Sequence, residues 1–158
     1  MTLEAAKQAI LERFPELQVD EGFRGGLGLL LPAERLLEVG RWLRDEPSLR
    51  LDLFHGMTAV DWQDRFAVVY WLESSEHPEL RVQLKVELPH DEPEIESVTG
   101  LWPGADWHER EAWDLVGVRF RNHPDLRRIL TWEGYEGHPL RRDFVDRRPK
   151  RPRKVRIR

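Results

Sequence analysis

The chain has 158 residues, of which 40% are hydrophobic and 34% are charged, a composition that indicates one globular domain with a polar surface. It contains no cysteine, which excludes disulfides, thiolate zinc sites and cysteine-ligated iron–sulfur clusters in these residues. No apolar run approaches the roughly 20 residues that span a bilayer, and the N-terminus does not resemble a targeting peptide. We therefore expect a protein that acts where it is made.

Charge is distributed unevenly along the chain. Between Arg141 and Arg158 there are ten Lys/Arg and two Asp, a net charge of +8, whereas the whole chain carries −4, so residues 1–140 carry −12. Blocks of like charge are typical of interaction tails. We divide the chain into a single domain over residues 1–144 and a basic extended tail over residues 145–158.

The first third of the chain predicts two helices around two short strands. Apolar residues fall at helical spacing from Leu3 to Phe14, and Pro15 ends that helix. Residues 18–21 form a short candidate strand. A glycine-rich turn follows, without the Lys and Ser/Thr of a phosphate-cradling loop, and then a buried strand over residues 27–31. Residues 32–44 predict a second helix with Pro32 in its first turn.

Three strands are predicted in the middle of the chain. Residues 49–53 alternate between apolar and polar, which is the period of a half-buried strand. Residues 66–72 are apolar on both faces and indicate a central strand. Residues 82–88 alternate most clearly, and Pro89 and Pro93 end that strand. The order of elements predicts an α+β domain of two layers, a mixed sheet covered by helices on one face, with an extended C-terminal segment.

A charged, aromatic-rich helix should follow. Asp106 is predicted to cap its N-terminus, with Glu109 reaching back to the cap, and Gly117 to end it in a left-handed turn. Arg110 and Asp114 are four residues apart, so they share a face and can pair. We expect both to belong to a charge network that links the helix to Arg127, Arg128 or the Arg141–Asp143 turn. Because Trp107 and Trp113 flank these charges, we expect the charges at the rim of a buried aromatic patch.

Acidic and histidine residues in this stretch offer no convincing catalytic or metal site. Glu109 and Glu111 are two residues apart, so on a helix they point about 200° apart and are unsuited to a shared acid–base site. The spacing of His108, His123 and His138 matches no common zinc pattern. We predict no catalytic, cofactor-binding or metal-binding residue in this chain, and assign these side chains structural or interface roles.

A longer pattern carries a family resemblance. The spacing of Glu109-Arg110-Glu111, Asp114, His123 and Arg127 resembles the signature of the 30 kDa subunit family of proton-pumping NADH:quinone oxidoreductase, which is respiratory complex I. Further similar segments are residues 58–62, 65–70, 97–102 and 137–143. The resemblance covers residues 50–144 well, the N-terminal third loosely, and departs at the basic C-terminus. It assigns to the signature and interface Glu109, Arg110, Glu111, Asp114, His123, Arg127, His138, Arg141, Arg142 and Asp143.

The resemblance implies a non-catalytic structural subunit of an electron-transport translocase of the respiratory chain. Such subunits lie in the peripheral arm, on the cytoplasmic face of the bacterial plasma membrane. They pack chiefly against the large quinone-cavity subunit. The smaller subunit that completes the quinone cavity and a cluster-bearing subunit are further expected partners. NADH, FMN, iron–sulfur clusters and quinone are expected in those partners and not in this chain.

Two alternatives remain open. One is the equivalent accessory module of a membrane-bound energy-converting hydrogenase or formate hydrogenlyase. The other is a basic-tailed protein that binds nucleic acid or a membrane surface through phosphate contacts. The tail has no interleaved aromatic residues, so base stacking is not expected. An arm that folds against an acidic partner is the preferred interpretation, and no nucleic acid partner is expected.

Overall fold

A five-stranded mixed sheet is the centre of the structure, a computed structural model that describes residues 2–146. Its strands are β1 (Gln18–Val19), β2 (Leu27–Leu30), β3 (Leu53–Asp61), β4 (Arg65–Glu73) and β5 (Arg81–Pro89). They lie in the order β1-β2-β5-β4-β3, antiparallel except for the parallel pair β2–β5. Strands β6 (Glu94–Glu96) and β7 (Arg119–Arg121) form a separate parallel pair.

Three α-helices accompany the sheet. They are α1 (Leu3–Arg13), α2 (Leu36–Asp45) and α3 (Ala105–Val116), and a short 3-10 turn, Ala33–Arg35, precedes α2. In the part of the chain that the structure describes, no helix is long and apolar enough to cross a bilayer. Between β7 and residue 146 the backbone consists of turns and irregular segments packed against the domain. The basic residues 147–158 lie outside the described part.

Burial follows the sequence periodicity in the interior of the domain. Alternate residues of β5 from Val82 to Leu88 are buried, so one face of that strand lies in the core. Strand β4 is buried on both faces from Phe66 to Tyr70, as predicted, because it lies between β3 and β5. The inward side chains join those of all three helices in one hydrophobic core. The predicted two-layer α+β fold is confirmed.

The first two helices form where the apolar spacing predicts them. Ala6 and Ile10 of α1 are fully buried, and the hydroxyl of Thr2 accepts a hydrogen bond from the backbone N–H of Ala5 at its N-terminus. Leu36, Val39 and Leu43 form the buried face of α2. Pro32 was predicted in the first turn of α2, and the structure places it outside that helix. It caps the 3-10 turn, and the α-helix begins four residues later.

The predicted strand over residues 49–53 is wrong. Leu49 and Leu51 are fully buried, but Arg50 between them adopts a left-handed backbone conformation with φ 50°. The backbone N–H groups of Leu49 and Arg50 both donate to Glu46 O, and that of Leu51 donates to Leu43 O. These residues therefore form the exit from α2, and the strand begins only at Leu53. The alternation of apolar and polar residues here reflects two leucines that pack into the core, and the backbone between them is not extended.

The start of α3 also differs from the prediction. Gly104 occupies the N-cap position, Asp106 lies within the first turn, and no side chain caps the helix. Glu109 is turned away from the helix N-terminus towards the loop after β6. The predicted end is confirmed, because Gly117 adopts a left-handed conformation with φ 87° and its N–H donates to the carbonyls of Ala112 and Trp113.

Candidate functional site

Asp114 of α3 fastens the loop that follows β7. The carboxylate is fully buried, and its Oδ2 accepts hydrogen bonds from the backbone N–H groups of Ile129 (3.1 Å), Leu130 (2.8 Å) and Thr131 (2.8 Å). Its Oδ1 accepts from the Thr131 hydroxyl (2.5 Å) and the Arg128 guanidinium (2.6 Å). Burial alone would raise the pKa of Asp114, but the hydrogen bonds from Thr131, Leu130 and Arg128 outweigh it and hold the pKa well below its ordinary value.

Arg110 reaches the same loop from one turn earlier in α3. Its guanidinium donates to the carbonyls of Arg127 (3.1 Å) and Arg128 (3.2 Å) and lies 4.0 Å from the Asp106 carboxylate. Arg110 and Asp114 do not pair with each other, since the Asp114 carboxylate is occupied by donors of the loop, but the expected link of both residues to Arg128 is present. The side chain of Arg127 is exposed and pairs with Asp125 at 2.6 Å.

Arg128 connects this loop to the next turn of the segment. Its guanidinium lies over the rings of Trp113 (5.5 Å) and Tyr135 (5.6 Å) and donates to Gly137 O at 3.1 Å. The Nδ1 atom of His138 lies 3.0 Å from Asp114 O, beside the left-handed end of α3. One face of α3 thereby holds two successive turns of irregular backbone.

A second carboxylate fastens the C-terminal end of the described chain. Asp61, buried at the end of β3, accepts hydrogen bonds from the backbone N–H groups of Arg142 (2.9 Å) and Gln63 (2.8 Å). Arg141 lies over the Phe66 ring at 5.1 Å and forms two hydrogen bonds with Asp143, of 2.8 and 2.9 Å. The turn that contains the predicted Arg-Arg-Asp residues is thus held against the β3–β4 turn.

Glu109 is also buried, but it takes no part in the contacts of Asp114 and Asp61. Its Oε1 accepts a hydrogen bond from the Val98 N–H at 2.7 Å, and the nearest ring nitrogen, His123 Nε2, lies 3.9 Å from Oε2. Burial is the main reason why the pKa of Glu109 is raised to about 7. Glu111 is exposed on another face of the helix, so the two glutamates share no site, as predicted.

The fastened segment leaves large apolar side chains in solvent. Leu130 (62% exposed), Trp132 (59%), Leu140 (62%) and Val145 (71%) are four of the eight large hydrophobic residues exposed in the described part of the chain. We call these four residues the docking surface. An open cavity of about 760 Å³ lies beside it, lined in part by Trp132, Tyr135, Phe144 and Val145.

The predicted buried aromatic patch with a charged rim is wrong. Trp107 is 71% exposed, whereas Glu109 and Asp114 are fully buried. The charges thus lie inside and the tryptophan outside, because each buried carboxylate accepts hydrogen bonds from backbone N–H groups that would otherwise lack partners.

Sequence reasoning assigned most of the residues that fasten the segment but missed others. One group lies at α3, where Arg110 and Asp114 bind the following loop and His138 contacts the end of the helix. The other group lies at the β3–β4 turn and consists of Arg141, Arg142 and Asp143. The missed residues are Asp61, Tyr70 and Thr131, whereas Arg128 was expected as a partner of the charged residues of α3. Thr131 lies outside the segments that carry the family resemblance. Asp61 and Tyr70 lie within the similar segments 58–62 and 65–70, but nothing local in the sequence indicated their partners, which are distant along the chain.

The fold and the site define an α+β protein whose C-terminal segment is fastened by buried carboxylates and presents apolar side chains. The model of the family described as the respiratory-chain NADH dehydrogenase 30 Kd subunit matches residues 29–150. One of the NADH-quinone oxidoreductase C-type subunits of Rhizobium etli (strain CIAT 652) is 45% identical over 139 residues, which are 85% of this chain and 73% of that protein. The C-type subunit of Rhodopseudomonas palustris (strain TIE-1) is 43% identical over 147 residues, 90% of this chain and 71% of that protein.

Two solved structures share the fold. The trypsin-resistant fragment (1-134) of Nqo5 has a TM-score of 0.65 and 29% identity, and the match covers 80% of this chain and all of that chain. A chain of the membrane-bound sulfane sulfur reductase, an archaeal respiratory membrane complex, has a TM-score of 0.76 and 25% identity, over 90% of this chain and 85% of that chain. The chain belongs to the family of the 30 kDa subunit of respiratory-chain NADH dehydrogenase, as its motif indicated. Members of this family are subunits of a larger enzyme complex.

Proposed function

We propose that this chain is a non-catalytic structural subunit of the peripheral arm of proton-pumping NADH:quinone oxidoreductase, and that it packs against the large quinone-cavity subunit. The observation that carries the proposal is the docking surface, four exposed apolar side chains on a segment fastened by buried carboxylates. Exposed apolar surface on a folded protein is typical of an interface when it is extensive. Aromatic and aliphatic anchors account for much of the energy of such contacts.

The hydrogen bonds to Asp114 and Asp61 explain how an irregular segment can serve as an interface. Loops without regular structure lose conformational entropy when a partner orders them, and this loss weakens binding. Here Asp114 and Asp61 have already fixed both ends of the segment through backbone N–H groups. The segment therefore meets its partner in a preorganised conformation, which is the structural role that we assign to the family motif.

The rest of the assignment follows from this role. NADH, FMN, iron–sulfur clusters and quinone bind in partner subunits, and this chain supports electron transfer by holding those subunits in place. The smaller subunit that completes the quinone cavity and a cluster-bearing subunit are further partners, and no nucleic acid is involved. The protein lies peripherally on the cytoplasmic face of the bacterial plasma membrane, through the assembled complex.

A second candidate is the equivalent module of another membrane-bound respiratory complex, of the energy-converting hydrogenase or formate hydrogenlyase type. The similarity of the fold to a chain of an archaeal respiratory membrane complex favours it. Both candidates use the same docking surface, so they differ in the identity of the large subunit that covers it.

Co-purification tests the proposal. The chain carrying Leu130→Ser and Leu140→Ser is tagged, recovered from solubilised membranes and its partners are identified by mass spectrometry. We expect the double variant to lose the large subunit, which the wild-type chain retains, because both leucines are removed from the interface. Melting of the isolated chain should change little, since both side chains are 62% exposed.

The control is Leu53→Ser, at a leucine that is 44% exposed at the start of β3 and outside the docking surface. It should retain the large subunit. Undiminished recovery of the large subunit with the double variant would remove the docking surface from the interface. A hydrogenase-type large subunit in the wild-type sample would establish the second candidate instead.

A further inference from the structure

A group of buried polar atoms lies between α3, the sheet and the segment after β7. Tyr70 Oη, Glu109 Oε2 and Asp106 Oδ1 are buried and have no hydrogen-bond partner in the described part of the chain. Tyr70 comes from the interior strand β4, and the two acidic residues come from the first two turns of α3. Buried polar atoms are nearly always paired, so three such orphans around one helix need an explanation.

His123 brings a hydrogen-bond donor to this group from the segment after β7. Its side chain is fully buried, and the Asp125 backbone N–H donates to its Nδ1 at 3.0 Å. Nδ1 therefore carries the lone pair, and the proton of the neutral ring is on Nε2. That Nε2 atom lies 3.3 Å from Asp106 O, 3.8 Å from Asp106 Oδ1 and 3.9 Å from Glu109 Oε2. One donor thus faces three acceptors.

The surroundings of Glu109 favour its protonated form. Burial is the chief cause that raises its pKa to about 7. Hydrogen bonds from Ser97 and from the Val98 N–H oppose the rise, and the neighbouring Asp106 charge adds to it. Arg110, the nearest cation on the same helix, is directed at the carbonyls of Arg127 and Arg128. Ionised Glu109 Oε2 would therefore be a buried charge without a partner, which is costly, unless a neighbouring donor turned to it.

We propose that Glu109 and His123 form a proton-controlled contact between α3 and the segment after β7. In the protonated form the Glu109 carboxyl is neutral and His123 Nε2–H donates to Asp106 O. When Glu109 releases its proton to water, Oε2 becomes the strongest acceptor in the group, and His123 Nε2–H turns from the Asp106 carbonyl to this oxygen.

Tyr70 takes part in this change from the sheet. Its buried hydroxyl lies close enough to Glu109 for the carboxylate charge to contribute, after burial, to a raised pKa of the phenol. The Tyr70 O–H is a second donor available to the ionised carboxylate. Deprotonation therefore exchanges a contact within α3 and its following segment for one that also ties α3 to β4.

Nuclear magnetic resonance of the full-length labelled chain tests the contact. The Glu109 carboxyl carbon and both His123 ring nitrogens are followed from about pH 5 to about pH 9, a range that brackets the expected midpoint of Glu109. We expect Glu109 to titrate with a midpoint of about 7 and the Nε2 signal of His123 to change with the same midpoint. In Glu109→Gln, the change of His123 Nε2 in that range should be absent.

Two further variants keep the test decisive. Glu111→Gln, on the exposed face of the same helix, should leave the change of the His123 Nε2 signal near pH 7 as it is in the wild-type chain. Tyr70→Phe keeps the ring and removes the second donor, so the midpoint of Glu109 should move upward even if Glu109→Gln fails to fold. A Glu109 midpoint near the ordinary glutamate value, or a His123 response that persists unchanged in Glu109→Gln, would overturn the proposal.

Discussion

Asp114 and Glu109 lie five residues apart on α3 and are buried equally, yet their environments favour opposite protonation states. Asp114 accepts five hydrogen bonds from the following loop, which hold its pKa low although burial opposes this. Glu109 receives fewer, and burial raises its pKa to about 7. Donors aimed at a carboxylate thus decide whether a buried acid is an anion or a neutral group.

The two residues therefore make opposite contributions to the pH dependence of stability. The folded pKa of Asp114 is lowered, so its contribution is complete above the unfolded value of about 3.9 and is lost as pH falls. The folded pKa of Glu109 is raised, so its contribution is complete below the unfolded value and is lost as pH rises towards about 7.

Asp114→Asn should destabilise the fold strongly. An asparagine has one acceptor oxygen, so its NH2 group would face either the backbone N–H groups of the loop or the Arg128 and Thr131 side chains, and Arg128 would lose its anion. Removing one partner of a buried pair typically costs about 3–5 kcal/mol in the free energy of unfolding, measurable by chemical denaturation at neutral pH. The loss should shrink as the pH is lowered below about 4, where Asp114 of the unfolded wild-type chain takes up a proton.

Asp52→Asn is the matched control. Asp52 likewise accepts hydrogen bonds from a loop residue, from Ser75 N–H (3.1 Å) and the Ser75 hydroxyl (2.8 Å), but its side chain is 32% exposed. Water can replace those contacts, so the loss should be within about 1 kcal/mol. Equal losses for the two variants would show that burial of Asp114 contributes nothing.

At the scale of elements, the end of α3 lies against the fastened segment at His138. Gly117 is left-handed with φ 87°, and a Cβ atom placed there would lie 2.6 Å from His138 Cδ2. Gly134 has a nearly identical φ of 84°, but no atom lies within 4 Å of its added Cβ. Alanine substitutions at these two glycines therefore share the backbone strain, and only the one at Gly117 adds a steric contact with the fastened segment.

Gly134→Ala should cost about 1–2 kcal/mol, the strain of a left-handed residue with a side chain. Gly117→Ala should cost more, because the His138 ring must also move away from Asp114 O. Thermal melting of the two variants at one pH measures the difference. Equal melting temperatures would mean that His138 gives way freely and does not fix the segment.

The local pattern of the sequence was sufficient for most elements and insufficient for their connections. The α1 and α2 spacing, the β4 and β5 burial patterns and the Gly117 turn are short-range features, and each was predicted. The strand expected over residues 49–53 was not found, because apolar alternation also arises when a helix exit buries two leucines around a left-handed Arg50.

The contacts that fasten the site are long-range and left little trace in the sequence. Asp61 binds the backbone N–H of Arg142, 81 residues away, and a backbone donor has no residue type by which to recognise it. The predicted i,i+4 pair of Arg110 and Asp114 obeyed helix geometry, but loop donors outcompeted it. The motif identified which residues matter, and only the fold showed their partners.

At the scale of the whole molecule, an acidic body is joined to a strongly basic end. Residues 147–158, outside the described part, contain eight Lys/Arg and no acid, with Val155 and Ile157 as their large apolar residues. Such a composition has little apolar surface to bury on its own. Arg pairs well with carboxylates through its planar guanidinium, so an acidic groove of a neighbouring protein in the complex is the expected docking place.

Deletion of the residues after Arg147 should leave the melting temperature of the isolated chain nearly unchanged and weaken assembly. Recovery of the complex should fall most at low salt, where attraction between the basic residues and an acidic partner is least screened. Melting curves and co-purification at two salt concentrations provide the comparison. If the deletion unfolds the domain while the surviving fraction assembles normally, the basic residues belong to the core.

The parallel pairing of β2 with β5 has a consequence for how the chain folds. Strands β3, β4 and β5 are neighbours in both sequence and sheet, so their antiparallel pairing closes only short loops. The β2–β5 ladder has four residue pairs, from Leu27–Val82 to Leu30–Lys85, and joins segments separated by residues 31–80. Closing that long loop carries the larger entropy loss. The three-stranded meander of β3, β4 and β5 should therefore form first. Strands β1 and β2 should join the sheet later, through the β2–β5 pair, and this pair should also be the first to separate on unfolding.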